Sequence, residues 1–233
     1  MVKFTDLSEK HNIADTHFPV EYKEIKPGSG LSKEQATSFW DNVFAIDSEK
    51  QDNYDYDKES MISEIFDVDE DEIVLDFEID EELKVVLGKF KVTNWERLSE
   101  TDKEALVSEL ISVISDKLGM DETPALRIFE DSINKCGAFI QGENTIEINK
   151  NIFSDPKEVV NTISHEVRHA YQYERAQKDE TYIDKLYKLN FENYISPVML
   201  PDGKYLFFTD YQDQYIEVEA RAFEKLFSEE GSQ

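Results

Sequence analysis

Two of the chain's four histidines lie four residues apart in the stretch NTISHEVRHAYQ, Asn161 to Gln172, and a glutamate follows the first of them. Successive residues of an α-helix turn by about 100°, so His165 and His169 leave the same face one above the other and both imidazoles can reach a single ion. A catalytic zinc takes three protein ligands and leaves the fourth place to water. Glu166 is placed to accept a proton from that water, whose pKa the metal lowers toward about 7. The chemistry expected of this pattern is hydrolysis of a polarised carbonyl.

The third ligand has to come from elsewhere. The longer motif H-E-x-x-H-x-x-G-x-x-H would supply another histidine, but Gln172 stands where it needs glycine and Arg175 where it needs histidine. No histidine follows His169, and His11 and His17 lie in an aperiodic N-terminal stretch, where they read as surface residues. A carboxylate is therefore required, and the C-terminal QYIEVEARAFEKLF offers two. Glu217 has the small Ala220 three places on, which lets two helices approach closely enough for a zinc–oxygen bond of about 2 Å. Glu219 lies nearer the apolar stripe of Ile216, Ala220, Phe223 and Phe227, where a carboxylate without a partner is costly to bury. Helical periodicity does not choose between them.

The elements that must position these residues follow from caps and periodicity. Asp155 is an N-cap, Pro156 suits the first helical position, and Glu158 occupies the capping-box position. Val160, Ile163, Val167, Ala170 and Tyr171 form one apolar face, so the histidine helix is expected to run to about Lys178. Upstream, Ser99 and Asp102 open a helix that carries Leu106, Leu110, Val113, Ile114 and Leu118 and stops at Gly119. ALRIFE reads as a strand, and GAFIQGENTIEIN as two strands joined near Gly142 and Asn144. Helices are also expected through TYIDKLYKLNFENYI and from about Asp213 to Phe227, with a Pro- and Gly-containing loop between them. Further upstream, Ile73 to Ile79 reads as a strand, and a short helix is expected after a cap at Ser32. Asp67, Asp69, Asp71 and Glu78 fall on EF-hand loop positions, but Glu72 stands where that loop needs glycine, so the stretch reads as a solvated acidic turn.

The balance of 25 Lys and Arg against 52 Asp and Glu gives a net charge of −27, which repels phosphate backbones and anionic lipid surfaces. Neither nucleic acid nor membrane is expected as a partner. Cys136 is the only cysteine, so an intrachain disulfide and a Cys-rich zinc cluster are both excluded. The first twenty residues contain no apolar signal-like core, and the expected location is cytoplasmic, with leaderless secretion as the other route.

HEVRHAYQ, followed about fifty residues later by EVEARAF, resembles the gluzincin class of zinc metallopeptidases, in particular the minigluzincins and the ImmA/IrrE-like proteins. The resemblance covers roughly Trp95 to Phe227. It implies an α+β fold with a zincin-like core: a small mixed sheet with an edge strand, an active-site helix and a C-terminal glutamate helix. The metallopeptidase domain would span residues 93–233 and residues 1–92 would form an accessory or regulatory segment. Glu217, Ala220 and Phe223 match the family's E-x-x-A pattern and its trailing phenylalanine, so the resemblance favours His165, His169 and Glu217 as ligands of Zn2+ and Glu166 as general base. Glu219 would then be an acidic neighbour that hydrogen-bonds a ligand histidine. NTIEIN would be the edge strand that receives an extended protein or peptide substrate. Tyr194, Tyr211 and Tyr215 are candidates to stabilise the oxyanion, with Tyr211 the first choice. Arg168 and Arg221 are expected on exposed faces or just behind the ligands, paired with some of the many carboxylates, and Cys136 to be a small residue buried near a strand. The expected activity is zinc-dependent peptide-bond hydrolysis; the alternatives are a non-catalytic binding module on the same scaffold and a bacterial effector or toxin protease.

Overall fold

In chain order the elements are α1 (Glu81–Lys89), α2 (Val92–Trp95), α3 (Glu100–Leu118), β1 (Ala125–Phe129), β2 (Gly137–Ile140), β3 (Thr145–Asn149), α4 (Pro156–Lys178), α5 (Tyr182–Glu192), β4 (Val198–Met199), β5 (Tyr205–Leu206), α6 (Phe208–Gln212) and α7 (Tyr215–Glu230). They come from a computed structural model that describes residues 61, 64–66, 68, 73–131, 135–199 and 205–230. The helix expected after Ser32, the histidines His11 and His17, and Asp67, Asp69 and Asp71 of the acidic turn lie outside the described residues.

The fold is α+β, with helices around a three-stranded sheet ordered β1-β3-β2. β1 pairs with β3 in parallel, from Ala125 opposite Thr145 to Phe129 opposite Asn149, and β2 pairs with it antiparallel. β3 is therefore the central strand, not the edge strand expected of NTIEIN. The hairpin from β2 covers one side of it, and β1 docks on the other. The edge beside α4 belongs to β2. Asn144 makes the hairpin turn in the left-handed region, with φ of 44°, a conformation asparagine tolerates better than most residues.

The helix expected from Ser99 forms as α3. Ser99 and Asp102 exchange side-chain and backbone hydrogen bonds at its start, and Gly119 ends it at φ of 68°. The histidine helix also forms as expected: Oδ1 of Asp155 accepts from the backbone of Lys157 and Glu158, and Pro156 sits in the first turn. Residues 73–79 depart from expectation. They are extended, with Leu75, Phe77 and Ile79 turned toward the core and Val74, Asp76 and Glu78 exposed, yet among the described residues no strand pairs with them. The alternation arises because one face rests on helices: Phe77 meets Phe223 edge-on, with ring centroids 4.7 Å apart.

One hydrophobic cluster joins Leu83, Val86 and Phe90 to Trp95, to Leu110 and Ile114 of α3, to Ile146 and Ile148 of β3, and to Ile163, Val167, Phe223 and Phe227. The core thus draws on residues on both sides of position 93. Trp95 is its largest member. It stacks on Phe90 at 5.2 Å and donates Nε1–H to the Phe153 carbonyl at 2.7 Å, which satisfies its one polar atom. No helix among the described residues is long and apolar enough to cross a membrane.

Candidate metal centre

α4 lies on the sheet and is flanked by α3, α5 and α7, with α7 packed along it most extensively. This packing brings residues 165, 169 and 217 together. The start of α7 is fixed by the buried Gln214, whose Nε2 donates to the carbonyls of Ile195 at 2.9 Å and Tyr211 at 3.1 Å. Its Oε1 accepts from the Ile195 backbone at 2.8 Å and from Asn190 at 3.3 Å. Asn190 also accepts from the backbone of Ile216 at 3.0 Å. The segment after α5 and the end of α6 are thereby tied to the first turn of α7.

Nε2 of His165 and Nε2 of His169 are 3.1 Å apart. Glu217 approaches both, with Oε2 3.5 Å from the first and Oε1 3.5 Å from the second. The ligand atoms of the three residues all lie within 4.8 Å of one another, close enough to hold one metal ion. Oε2 of Glu217 is buried with no hydrogen-bond partner. A buried bare carboxylate oxygen is strongly disfavoured unless a cation satisfies it, so the donor set fits a small divalent ion.

The charges agree. Burial pushes the His165 imidazole down, but the carboxylates of Glu217 and Glu224 outweigh it and raise its pKa to about 10. Burial also favours the neutral form of Glu217, yet His169 and His165 hold its carboxyl well below the ordinary range. Without an ion, a proton on His165 serves as the cation between the two carboxylates.

Both imidazoles have partners at Nδ1, which leaves Nε2 to the centre. Nδ1 of His165 lies 3.3 Å from Oε2 of Glu224, two helical turns beyond Glu217. Nδ1 of His169 lies 2.9 Å from Oε1 of Gln172. Glu219 makes no hydrogen bond to either histidine, contrary to expectation. It is buried and accepts from Arg168 at 2.8 Å, Tyr187 at 2.8 Å and Gln172 at 2.6 Å. It therefore reaches His169 only through the amide of Gln172. The site expectations missed Gln172 and Glu224 as histidine partners. Spacing could have indicated both, since Gln172 is three residues from His169 and Glu224 seven from Glu217 on the same helical faces. Arg168 is buried and paired with a carboxylate, as expected, whereas Arg221 donates to the main-chain carbonyl of Gln212.

Of the three candidate tyrosines, two stand at Glu217. Tyr194 donates its hydroxyl to Oε1 of Glu217 at 2.6 Å, and its ring meets that of Tyr211 at 90° with centroids 6.1 Å apart. Burial first, and then the charge of Glu217, push both hydroxyls up, so both remain protonated donors. Tyr215 falls on the other side, against Tyr187 and within the field of Glu219. Glu166 is half-buried, and its charge is felt at His165, Tyr194 and Tyr211. Cys136 is half-buried just before β2, and burial, followed by Glu158, Glu166 and Glu224, pushes its thiol up to about 11. It is a protonated neighbour rather than a metal-blocking thiolate.

Comparison with known protein families, with curated proteins and with solved structures gives no match. The functional reading rests on the donor set and its surroundings.

Proposed function

We propose that this protein is a zinc-dependent peptidase in which His165, His169 and Glu217 hold the metal and Glu166 is the general base. The observation that carries the reading is the convergence of two imidazole Nε2 atoms on a carboxylate whose Oε2 is buried with no hydrogen-bond partner. Two imidazoles and one carboxylate form a donor set suited to zinc with one place left open. Bound there, zinc would supply Lewis acidity toward a peptide carbonyl and raise the acidity of water.

The chain's own residues account for the remainder. Glu166 takes the proton of the attacking water and returns it to the amide nitrogen as the C–N bond breaks. Tyr194 donates to Glu217, and the Tyr211 hydroxyl, which stands beside both, would turn to donate to the carbonyl oxygen as charge develops on it. An extended substrate would add to the outer edge of β2, the strand whose N-terminal end lies within the field of Glu166. Gly137 keeps β2 close to α4, because a Cβ there would stand 2.6 Å from Cγ2 of Thr162.

Metal analysis and peptide cleavage by the full chain test the reading together. About one zinc per chain is expected, lost on His165→Ala or His169→Ala, while Glu166→Gln keeps the metal and loses turnover. Protein that takes up no zinc would remove the proposal. If Glu166→Gln keeps the biological effect, the chain acts by binding.

A further inference from the structure

Gln172 is fully buried and lies outside the ligand triad, yet its side chain links the two helices that supply the ligands. Its Oε1 lies 2.9 Å from Nδ1 of His169, and its Nε2 donates to Oε2 of Glu219 at 2.6 Å and to the main-chain carbonyl of Ile216 at 3.0 Å. The amide has one tenable orientation. Turned over, its oxygen would face a carboxylate and a carbonyl in a place closed to water, and its NH2 would face the imidazole, which would then have to present a lone pair at Nδ1.

Glu219 is itself held from behind. Arg168 and the Tyr187 hydroxyl both donate to its Oε1, and the Arg168 guanidinium lies over the rings of Tyr171 and Phe223, 4.6 and 5.2 Å from their centroids. The buried charge pair thus fixes the carboxylate, the carboxylate fixes the amide, and the amide fixes the imidazole.

We propose that Gln172 is a positioning residue of the metal centre: its amide, oriented by Glu219 and Arg168, holds His169 as the Nδ1–H tautomer and turns the bare Nε2 toward the ion. The proposal rests on the metal-binding reading of the triad. It also explains why a carboxylate as buried as Glu219 is tolerated beside the site without being a ligand: its charge is matched by Arg168 and reaches His169 only through a neutral amide. Gln172 and His169 are on α4, whereas Glu219 and Ile216 are on α7, so the imidazole is locked only when the two helices dock.

The test compares zinc affinity and the visible spectrum of the cobalt-substituted full chain in the wild type, in Gln172→Leu and in the reciprocal double variant Gln172→Glu with Glu219→Gln. Gln172→Leu keeps the volume and removes the acceptor, and is expected to weaken zinc binding about 10- to 100-fold and shift the cobalt bands. The double variant exchanges carboxylate and amide. It keeps an acceptor at Nδ1 and the total charge but sets a carboxylate oxygen against the Ile216 carbonyl, so it is expected to recover part of the lost affinity. Unchanged affinity and spectrum in Gln172→Leu would overturn the proposal.

If Gln172→Leu does not fold, nitrogen-15 NMR of the histidines in the metal-free wild type decides instead. Nδ1 of His169 protonated and Nε2 bare is expected, and the opposite tautomer rejects the role. That measurement also separates the two readings: a wild type that binds no zinc defeats the peptidase, while the tautomer still judges Gln172.

Discussion

Tyr194 donates its hydroxyl to Oε1 of Glu217 at 2.6 Å, while Oε2 of the same carboxylate is buried with no hydrogen-bond partner. The two oxygens of Glu217 are therefore unequal. One is satisfied by the protein, and the other is left for a cation. Tyr194→Phe frees the carboxylate to rotate and is expected to weaken zinc binding about tenfold, as loss of an outer hydrogen bond to a ligand commonly does. Competition with a chromophoric chelator measures this, and wild-type affinity in the variant would show the hydroxyl to be idle.

Tyr211 is expected to behave differently. If Tyr211 is the donor to the reacting carbonyl oxygen, its replacement by Phe should lower kcat by about 10²- to 10³-fold and leave zinc content unchanged. A fall in zinc content with little change in kcat per bound metal would assign Tyr211 to the metal's surroundings instead.

The protonation of His165 sets the pH dependence of metal uptake. Its pKa in the metal-free fold is raised from 6.5 to about 10, so at pH 8 the imidazole carries a proton that has to leave when Nε2 becomes a ligand. Zinc binding should release about one proton per chain at pH 8, and apparent affinity should rise about tenfold per unit of pH up to that pKa. Calorimetry in two buffers of different ionisation enthalpy gives the count. Stability follows the same linkage. A folded pKa above the unfolded value contributes fully below pH 6.5 and is lost as pH rises through about 10, so the metal-free chain should lose thermal stability over that window.

Gly137→Ala tests the seating of β2 on α4. Its Cβ would stand 2.6 Å from the Thr162 methyl and 2.8 Å from the Glu147 carbonyl oxygen. The second neighbour is backbone in the central strand and cannot swing away, so a loss of about 1–3 kcal/mol is expected from overpacking. Urea unfolding measures it. If β2 also receives substrate, KM should rise in the variant with zinc content intact.

The histidine helix was legible because its signals are local: an aspartate cap, a proline in the first turn, an apolar face and two histidines one turn apart. The choice between Glu217 and Glu219 was not. Both are buried, at 1% and 3% exposure, and a helical wheel ranks burial without showing who comes to meet each carboxylate. Arg168 and Gln172 answer Glu219, and the histidines answer Glu217, all from a helix far away in the chain. The place of β3 in its sheet was likewise hidden, since alternation along TIEIN looks the same whether one neighbour or two supply hydrogen bonds. Ile73 to Ile79 misled in the opposite sense: the alternation was genuine, but helices, not a strand, bury its inner face.

His165 and His169 on α4 and Glu217 on α7 are joined by a chain segment that contains α5, the β4–β5 hairpin and α6. An ion held by both helices would fasten that whole excursion into a ring, reducing the freedom of the unfolded chain much as a crosslink does. Chelation should therefore open a route to proteolysis between residues 179 and 214, and in a nicked molecule the ion would add to the core packing that already holds α4 and α7 together.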